Sequence, residues 1–150
     1  MTQSRPLHIK TCLFADEIPA IRRIRETVFQ DEQGIDPQLE WDGLDEQSIH
    51  LVAQIGDDRA GVARLREIED GATLKLERLA VLADYRHQGI GSELVHTAIA
   101  YSREQGYRQM IIHAQSTTVR FYEHLGFTAM GDPFDEAGIA HLKMKRALTD

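Results

Sequence analysis

Leu76-Glu77-Arg78-Leu79-Ala80-Val81-Leu82-Ala83-Asp84-Tyr85-Arg86-His87-Gln88-Gly89-Ile90-Gly91-Ser92-Glu93-Leu94 reads as the end of an apolar strand, a short polar turn with two glycines, and the start of a long helix. Such a junction suits an anion. The first amides of a helix lack intrahelical acceptors, and the helix dipole adds positive charge at the same end. Gly89 and Gly91 carry no Cβ, so a phosphate can come close to the main chain. Arg86 can add a full charge at the rim. A tight strand–helix turn with no ligand would use the same residues. A dinucleotide fingerprint would need a third glycine where this chain has Leu94, and the Gly-Lys-Ser/Thr of a P-loop is missing.

Working outward, the 150 residues predict one domain spanning 1–150, large enough for a sizeable core. No apolar run approaches membrane-spanning length. The opening Met1-Thr2-Gln3-Ser4-Arg5-Pro6 has no signal-peptide apolar region, and Cys12 is the single cysteine. Together these predict a cytoplasmic, membrane-free protein without an internal disulfide. Cys12 sits in a strand pattern and reads as packing. The net charge of −7 opposes a nucleic-acid partner and mildly favours cationic ones.

Leu7 to Leu13 reads as a first strand, and Asp16 as the N-cap of a helix running to about Phe29. Gln30 to Gln47 is acidic and irregular, broken by Gly34, Pro37 and Gly43. Strands follow at Ile49–Ile55, Gly61–Ile68 and Thr73–Val81, joined by turns at Gly56-Asp57-Asp58-Arg59 and Glu69-Asp70-Gly71. Ile90 to about Gln105 has the apolar stripe of a helix, ended by Gly106. A strand at Gln109–Ala114, a short helix at Thr117–Leu125 closed by Gly126, and a strand at Ile139–Lys145 complete the chain. The order β-α-β-β-β-α-β-α-β implies an α/β fold with a mixed sheet and helices on its faces.

Two segments now combine. Arg86-His87-Gln88-Gly89-Ile90-Gly91 resembles the Arg/Gln-x-x-Gly-x-Gly/Ala signature of the GNAT superfamily of acyl-CoA-dependent N-acyltransferases. Arg120-Phe121-Tyr122-Glu123-His124-Leu125-Gly126-Phe127 resembles that family's Phe-Tyr-x-x-x-Gly-Phe segment. Val28-Phe29-Gln30-Asp31-Glu32-Gln33-Gly34, Ala114-Gln115 and Gly138-Ile139-Ala140-His141 are similar to the ElaA-type branch. The resemblance implies a mostly antiparallel sheet with one parallel pair, Leu74–Val81 and Gln109–Ala114, splayed like a V. It implies acetyl-CoA as co-substrate and no metal. The pantetheine arm would pair with main-chain groups near Leu79, Ala80 and Val81, and the pyrophosphate would rest on Arg86, His87, Gln88, Gly89, Ile90, Gly91 and Ser92. Many members carry an Asn after the second parallel strand, where this chain has Gln115-Ser116. Homodimers are common among such relatives.

The implied reaction is acetyl transfer to the primary amine of a small acceptor, cationic ones included, by direct attack in a ternary complex. It needs a neutral amine, a polarised carbonyl, alignment, and a protonated thiolate leaving group. The backbone near Leu79 is the candidate oxyanion donor. Tyr122 is the candidate general acid, although the same tyrosine could simply pack beside Phe121. Glu77 is the candidate base, expected on the face of Leu79 and Val81; a salt bridge to Arg64 or Arg78 is its other reading. His113 and His141 are candidates for the acceptor side, as base or as core residues. The acidic stretch containing Asp31, Glu32, Glu40, Asp42, Asp45 and Glu46 would either select a cationic amine or form a solvated loop. Trp41 within it is a pocket wall or a loop anchor. Rival readings are a non-catalytic acyl-CoA-binding module and an acetyltransferase of peptides or proteins.

Overall fold

Seven strands form one sheet in the order β1-β2-β3-β4-β5-β7-β6. In the computed structural model, which describes residues 6–68 and 70–149, they are β1 (Leu7–Leu13), β2 (Ile49–Ile55), β3 (Asp58–Glu67), β4 (Thr73–Val81), β5 (Gln109–Gln115), β6 (Thr128–Glu136) and β7 (Ile139–Ala147). Met1 to Arg5, and Glu69 of the expected β3–β4 turn, lie outside the described residues. Every neighbouring pair is antiparallel except β4 and β5, which run parallel. Helix α3 (Ile90–Glu104) crosses between those two strands, as a parallel connection requires.

Both faces are covered. On one, α3 lays Ile90, Leu94, Val95, Ala98 and Ile99 against Leu51, Leu65, Leu74, Leu76, Met110 and Ile112. Gly61 makes that approach possible, because a Cβ there would stand 3.1 Å from Leu94 Cδ1 and from the Ala80 carbonyl. On the other face, α1 (Ile18–Arg25) and the turn after it pack Ile21, Ile24 and Val28 against Val52, Val62 and Ala80. Cys12 packs at the edge of this second cluster. Among the described residues no helix is long and apolar enough to cross a membrane.

The structure departs from the sequence expectations in three places. The expected Asp16–Phe29 helix is a 3-10 turn at Phe14–Asp16, α1, and a wider π-helical stretch at Glu26–Glu32. Asp16 accepts from the Leu13 amide at 3.1 Å, and Glu17 takes the N-cap position. A one-turn helix, α2 (Pro37–Glu40), lies in the segment expected to be irregular, with Asp36 capping it through Gln38 N at 2.9 Å. Strand β6 was not expected at all, since Gly131, Asp132 and Pro133 interrupt its pattern. As an edge strand it tolerates them by skipping register between Met130 and Phe134.

Two buried arginines fasten the segment after α2 to the sheet. Arg25 and Arg64 are 1% and 0% exposed. Arg25 donates to Asp45 at 2.6 Å and to both the side chain and the carbonyl of Glu40, with its guanidinium 4.4 Å from the Trp41 ring centroid. Arg64 donates to Asp42 at 2.7 and 2.9 Å, to Asp45 at 3.1 Å and to Glu77 at 2.8 Å. One oxygen, Oδ1 of Asp45, therefore serves both arginines. Removing one member of a buried ionic set leaves the others uncompensated. Asp45→Ala is expected to lower the free energy of unfolding by about 3 kcal/mol, read as a lower urea midpoint at unchanged slope.

Candidate active site

The parallel pair comes apart half-way along. β4 and β5 are paired from Thr73↔Gln109 to Leu76↔Ile112 and no further. Past that point β5 stays with β7 as far as Gln115, and β4 stays with β3 as far as Val81. The gap opens into a cleft of about 890 Å³. It is lined by Leu76, Leu79 and Val81 from one strand, His113, Ala114 and Gln115 from the other, and Tyr122.

A bulge shapes the β4 wall. The β3–β4 register runs Arg64↔Glu77 and then Val62↔Ala80, so Arg78 and Leu79 together oppose one residue of β3. Arg78 adopts φ 56, uncommon for a residue with a Cβ. Its guanidinium donates to the Glu40 carbonyl at 3.1 Å and lies 3.4 Å from Asp42. The extra residue inverts the side-chain alternation. Leu79 and Val81 join the α3-side core, while Ala80 turns to the α1 side. This corrects the expectation that Glu77 shares a face with Leu79 and Val81. It also takes the Ala80 side chain out of the cleft, which Ala80 could then meet only through its main chain.

At the far end of the cleft sits the glycine turn. His87 (φ 64) and Gly89 (φ 82) are both left-handed, and Gly89 occupies the N-cap position of α3. A Cβ on Gly89 would meet nothing within 4 Å, so the backbone conformation, not space, selects glycine there. A Cβ on Gly91 would come within 3.4 Å of Phe121. Arg86, His87, Gly89, Ile90, Gly91 and Ser92 all line the cleft. Gln88 does not, and its side chain reaches back to the Asp84 carbonyl at 3.4 Å. Arg86 donates to the Val81 carbonyl at 2.8 Å and to both oxygens of Glu32 at 2.8 and 3.0 Å.

The spacing Tyr122-x-x-x-Gly126-Phe127 has a local cause. Helix α4 (Val119–His124) ends with Phe127 N bonded to Tyr122 O at 3.1 Å and Gly126 N bonded to Glu123 O at 3.0 Å, around Gly126 at φ 93. This is a Schellman cap, completed by ring contact between Tyr122 and Phe127 at 5.7 Å. The cap and Phe121 fix the Tyr122 ring between them. No group among the described residues hydrogen-bonds its hydroxyl, and the ring borders the cleft. Burial raises its pKa, keeping the phenol protonated.

Glu77 does not stand free as a base. It is 8% exposed, takes two donors from Arg64, accepts from Arg66 at 2.7 Å, and lies 3.3 Å from Lys75. Burial pushes its pKa up, but the Arg66 hydrogen bonds and the charges of Arg64 and Lys75 outweigh that and hold it at about 2. A carboxylate so held is a weak proton acceptor at neutral pH. The ion-pair reading is the one the structure supports, with Arg64, not Arg78, as the bridging residue.

Two other expected acceptor-side residues lie off the cleft wall. Trp41 stacks on Arg25 as a loop anchor, and Glu32 is spent on Arg86. Of the acidic stretch, Glu40 and Asp42 reach the cleft wall, but both are ion-paired to arginines, as is the buried Asp45. His113 and His141 do border the cleft, and the unforeseen strand β6 brings Glu136 between them. His113 Nδ1 lies 3.3 Å from Glu136 Oε1, and His141 Nδ1 lies 2.7 Å from the Ile139 carbonyl. Carboxylate and carbonyl oxygens only accept, so both rings carry hydrogen on Nδ1 and keep a lone pair on Nε2 when neutral. Gln115, in the place of the family's Asn, donates to Gln33 at 2.8 Å and ties β5 to the end of the π-helical stretch. Among the described residues no cluster of His, Cys, Asp or Glu fits a metal.

The model of an acetyltransferase (GNAT) domain matches residues 24–148. The chain belongs to the GNAT acetyltransferase family. Its curated relatives include the Bacillus subtilis protein named uncharacterized N-acetyltransferase YjcF, 34% identical over 82% of this chain and 87% of that one. An acyl-CoA N-acyltransferase from Pseudomonas aeruginosa has the same fold at 28% identity and a TM-score of 0.83, covering 95% of this chain and all (100%) of that one. Escherichia coli ElaA superposes with a TM-score of 0.83 over 94% of this chain and 99% of its own, a likeness of fold at 21% identity. A further GNAT acetyltransferase of this fold, from Elizabethkingia anophelis, was crystallised with acetyl-CoA bound, at 17% identity, a TM-score of 0.74, and coverage of 94% of this chain and 97% of that one. The splayed strands and glycine turn of this GNAT chain therefore form an acyl-transfer fold.

The Glu77 ion pairs make a pH prediction. Because the folded-state pKa is depressed, their contribution is complete above the ordinary glutamate value of 4.5 and is lost as pH falls toward about 2. Unfolding free energy should therefore drop steeply across that interval in the native chain. In Glu77→Gln the drop should be shallower and the neutral-pH stability lower, both measurable by denaturant titration at a series of pH values.

Proposed function

We propose that this protein transfers an acetyl group from acetyl-CoA to the primary amine of a small acceptor, by direct attack within a ternary complex. The observation that carries this reading is the unpaired β4 edge. Beyond Leu76 the strand keeps its β3 partner but offers its other side to a cleft that ends at the amides of α3. Main-chain groups without a partner need one, and a pantetheine arm has the amides to supply it. The diphosphate would lie against the glycine turn, where first-turn amides and Arg86 favour negative charge. An N–H near Leu79 would polarise the thioester carbonyl.

Proton transfer then divides between two neutral groups. The amine nitrogen attacks the carbonyl carbon, a C–N bond forms, and the C–S bond breaks. Tyr122 gives its hydroxyl proton to the departing sulfur. His113 takes the proton released by the amine on Nε2, with Glu136 holding Nδ1–H. His113 replaces Glu77 in this role because burial, and the nearby Lys75 and Lys143 charges, depress its pKa more than Glu136 raises it. It is thus unprotonated at neutral pH, whereas Glu77 is locked in ion pairs. The protein would act in the cytoplasm on a free small molecule.

Release of CoA from acetyl-CoA, followed over a panel of amines, tests the reading; tight acetyl-CoA binding without release from any amine would leave only a binding module. Tyr122→Phe should lower turnover by ~10²-fold with acetyl-CoA affinity kept. In the native chain, kcat/KM expressed per unit of unprotonated amine should rise with pH through an inflection below 6.5 and then level. His113→Gln should remove that inflection and lower the plateau. An unchanged profile would exclude His113.

A further inference from the structure

We propose that the acceptor carries a carboxylate as well as its amine, and that Arg66 and Lys75 hold that carboxylate beside His113. The inference rests on the acetyl-transfer reading of the cleft and names the substrate class within it. It runs against the composition, since the chain as a whole is acidic, at −7. The charge that matters is local, and the register of the sheet places it.

Arg66 and Lys75 are direct partners across β3 and β4, and Arg64 and Glu77 are the next pair along. Lys75 pairs with Ile111 across the parallel ladder, and Ile111 pairs with Lys145. His113, two residues on, pairs with Lys143. Directly opposed residues share a face, as do residues two apart on one strand. Arg64, Arg66, Lys75, His113, Lys143 and Lys145 therefore stand on one side of the sheet, opposite to α3. Arg66 and Lys75 line the cleft together with His113.

The carboxylates nearby are used up. Glu77 is the shared acceptor for Arg64, Arg66 and Lys75 at once. Arg64 is already answered by Asp42 and Asp45, so Arg66 and Lys75 are the surplus. Arg66 directs Nε and Nη2 at Glu77 and leaves Nη1 without a protein partner among the described residues. The Arg66 and Lys75 side chains are 25% and 15% exposed, so both reach the cleft without being fully solvated. Glu40 does line the cleft, but its unpartnered Oε1 is sealed from solvent and cannot meet an ammonium group. Asp42 and Glu136 also line the cleft; Asp42 is paired with Arg64 and Arg78, and Glu136 with the His113 ring.

A second consequence favours the same class. Cations around the attacking nitrogen disfavour its protonated form. The attacking amine is then held neutral, as a nucleophile must be. A polyamine would meet repulsion at this end, while an amino acid would meet Arg66 and Lys75 through its carboxylate and present its amine to His113.

The test uses matched acceptors with the full-length protein: amino acids, their uncharged amides, amines carrying a phosphate, and polyamines, each scored by CoA release. Carboxylate-bearing amines should be turned over with a kcat/KM at least about tenfold above their amides, and polyamines should be the poorest. Lys75→Gln and Arg66→Gln should each raise KM for the carboxylate acceptor about tenfold while kcat on the pH plateau above the His113 inflection, the KM for its amide and the affinity for acetyl-CoA hold. Equal use of acid and amide, or preference for polyamines, overturns the acceptor assignment and leaves acetyl transfer standing. Preference for the phosphate-bearing amine overturns the carboxylate in favour of another anion. Release of CoA with none of the panel above the amine-free rate overturns acetyl transfer and the acceptor assignment together.

Discussion

The cleft exists because β4 and β5 are each held more firmly by their outer neighbours than by each other. β5 is laddered to β7 along its whole length, from Gln109↔Ala147 to Gln115↔His141. β4 is anchored to β3 by a buried ion pair, Arg64 with Glu77, at the first position past the last parallel pair. The next residue is the bulged Arg78, which bends and twists its strand. Parallel pairing is the weaker kind per residue, and here it spans only Thr73 to Leu76. The strain at Arg78 is offset by its hydrogen bonds to the chain at Leu39 and Glu40 and by its ion pairs with Glu40 and Asp42.

That anchor also explains why charge, not apolar packing, occupies the middle of the molecule. Replacing a buried ion pair by hydrophobic residues is often neutral or favourable for stability. Arg64, however, joins three separate pieces of chain: β3, β4 through Glu77, and the loop of Asp42 and Asp45. A leucine at that place could fill the volume without fixing where those pieces stand. Glu77 in turn directs Arg66 and Lys75, so the ionic cluster sets both the opening of the cleft and the charge on that part of its wall.

The parts of this arrangement that were legible in sequence are those with a local cause. The glycine turn could be read because Gly89 needs a left-handed conformation and Gly91 a close contact with Phe121. Tyr122, Gly126 and Phe127 could be read because a helix cap requires that spacing. Helix α3 announced itself by its apolar period. The failures have long-range causes. Nothing local marks Arg78 as left-handed, so strict alternation put Glu77 on the wrong face. Composition left Asp42 and Asp45 as either a cation-selecting wall or a solvated loop, whereas folding paired them with Arg64, distant in sequence. β6 lacked any strand signal around Gly131-Asp132-Pro133, and with it Glu136 was missed.

Burial acts on the two proton-handling groups of the proposed reaction in opposite senses on the pKa scale and in the same sense on charge. It raises Tyr122, an acid whose ionised form is an anion, and lowers His113, a base whose ionised form is a cation. Both are therefore neutral at rest, a donor on one side of the parted strands and an acceptor on the other. Cationic side chains line the cleft in two places, Arg86 beside the helix amides and Arg66 with Lys75 beside Glu77. Between them, charge need develop only as the C–N bond forms and the C–S bond breaks, where a partly desolvated setting makes each fixed dipole count for more. The same separation fits the proposed reaction, in which Glu77 takes no part in proton transfer. A permanently ionised carboxylate is useful for holding strands and cations in place, and a neutral imidazole for receiving a proton, and the sheet supplies one of each on adjacent strands.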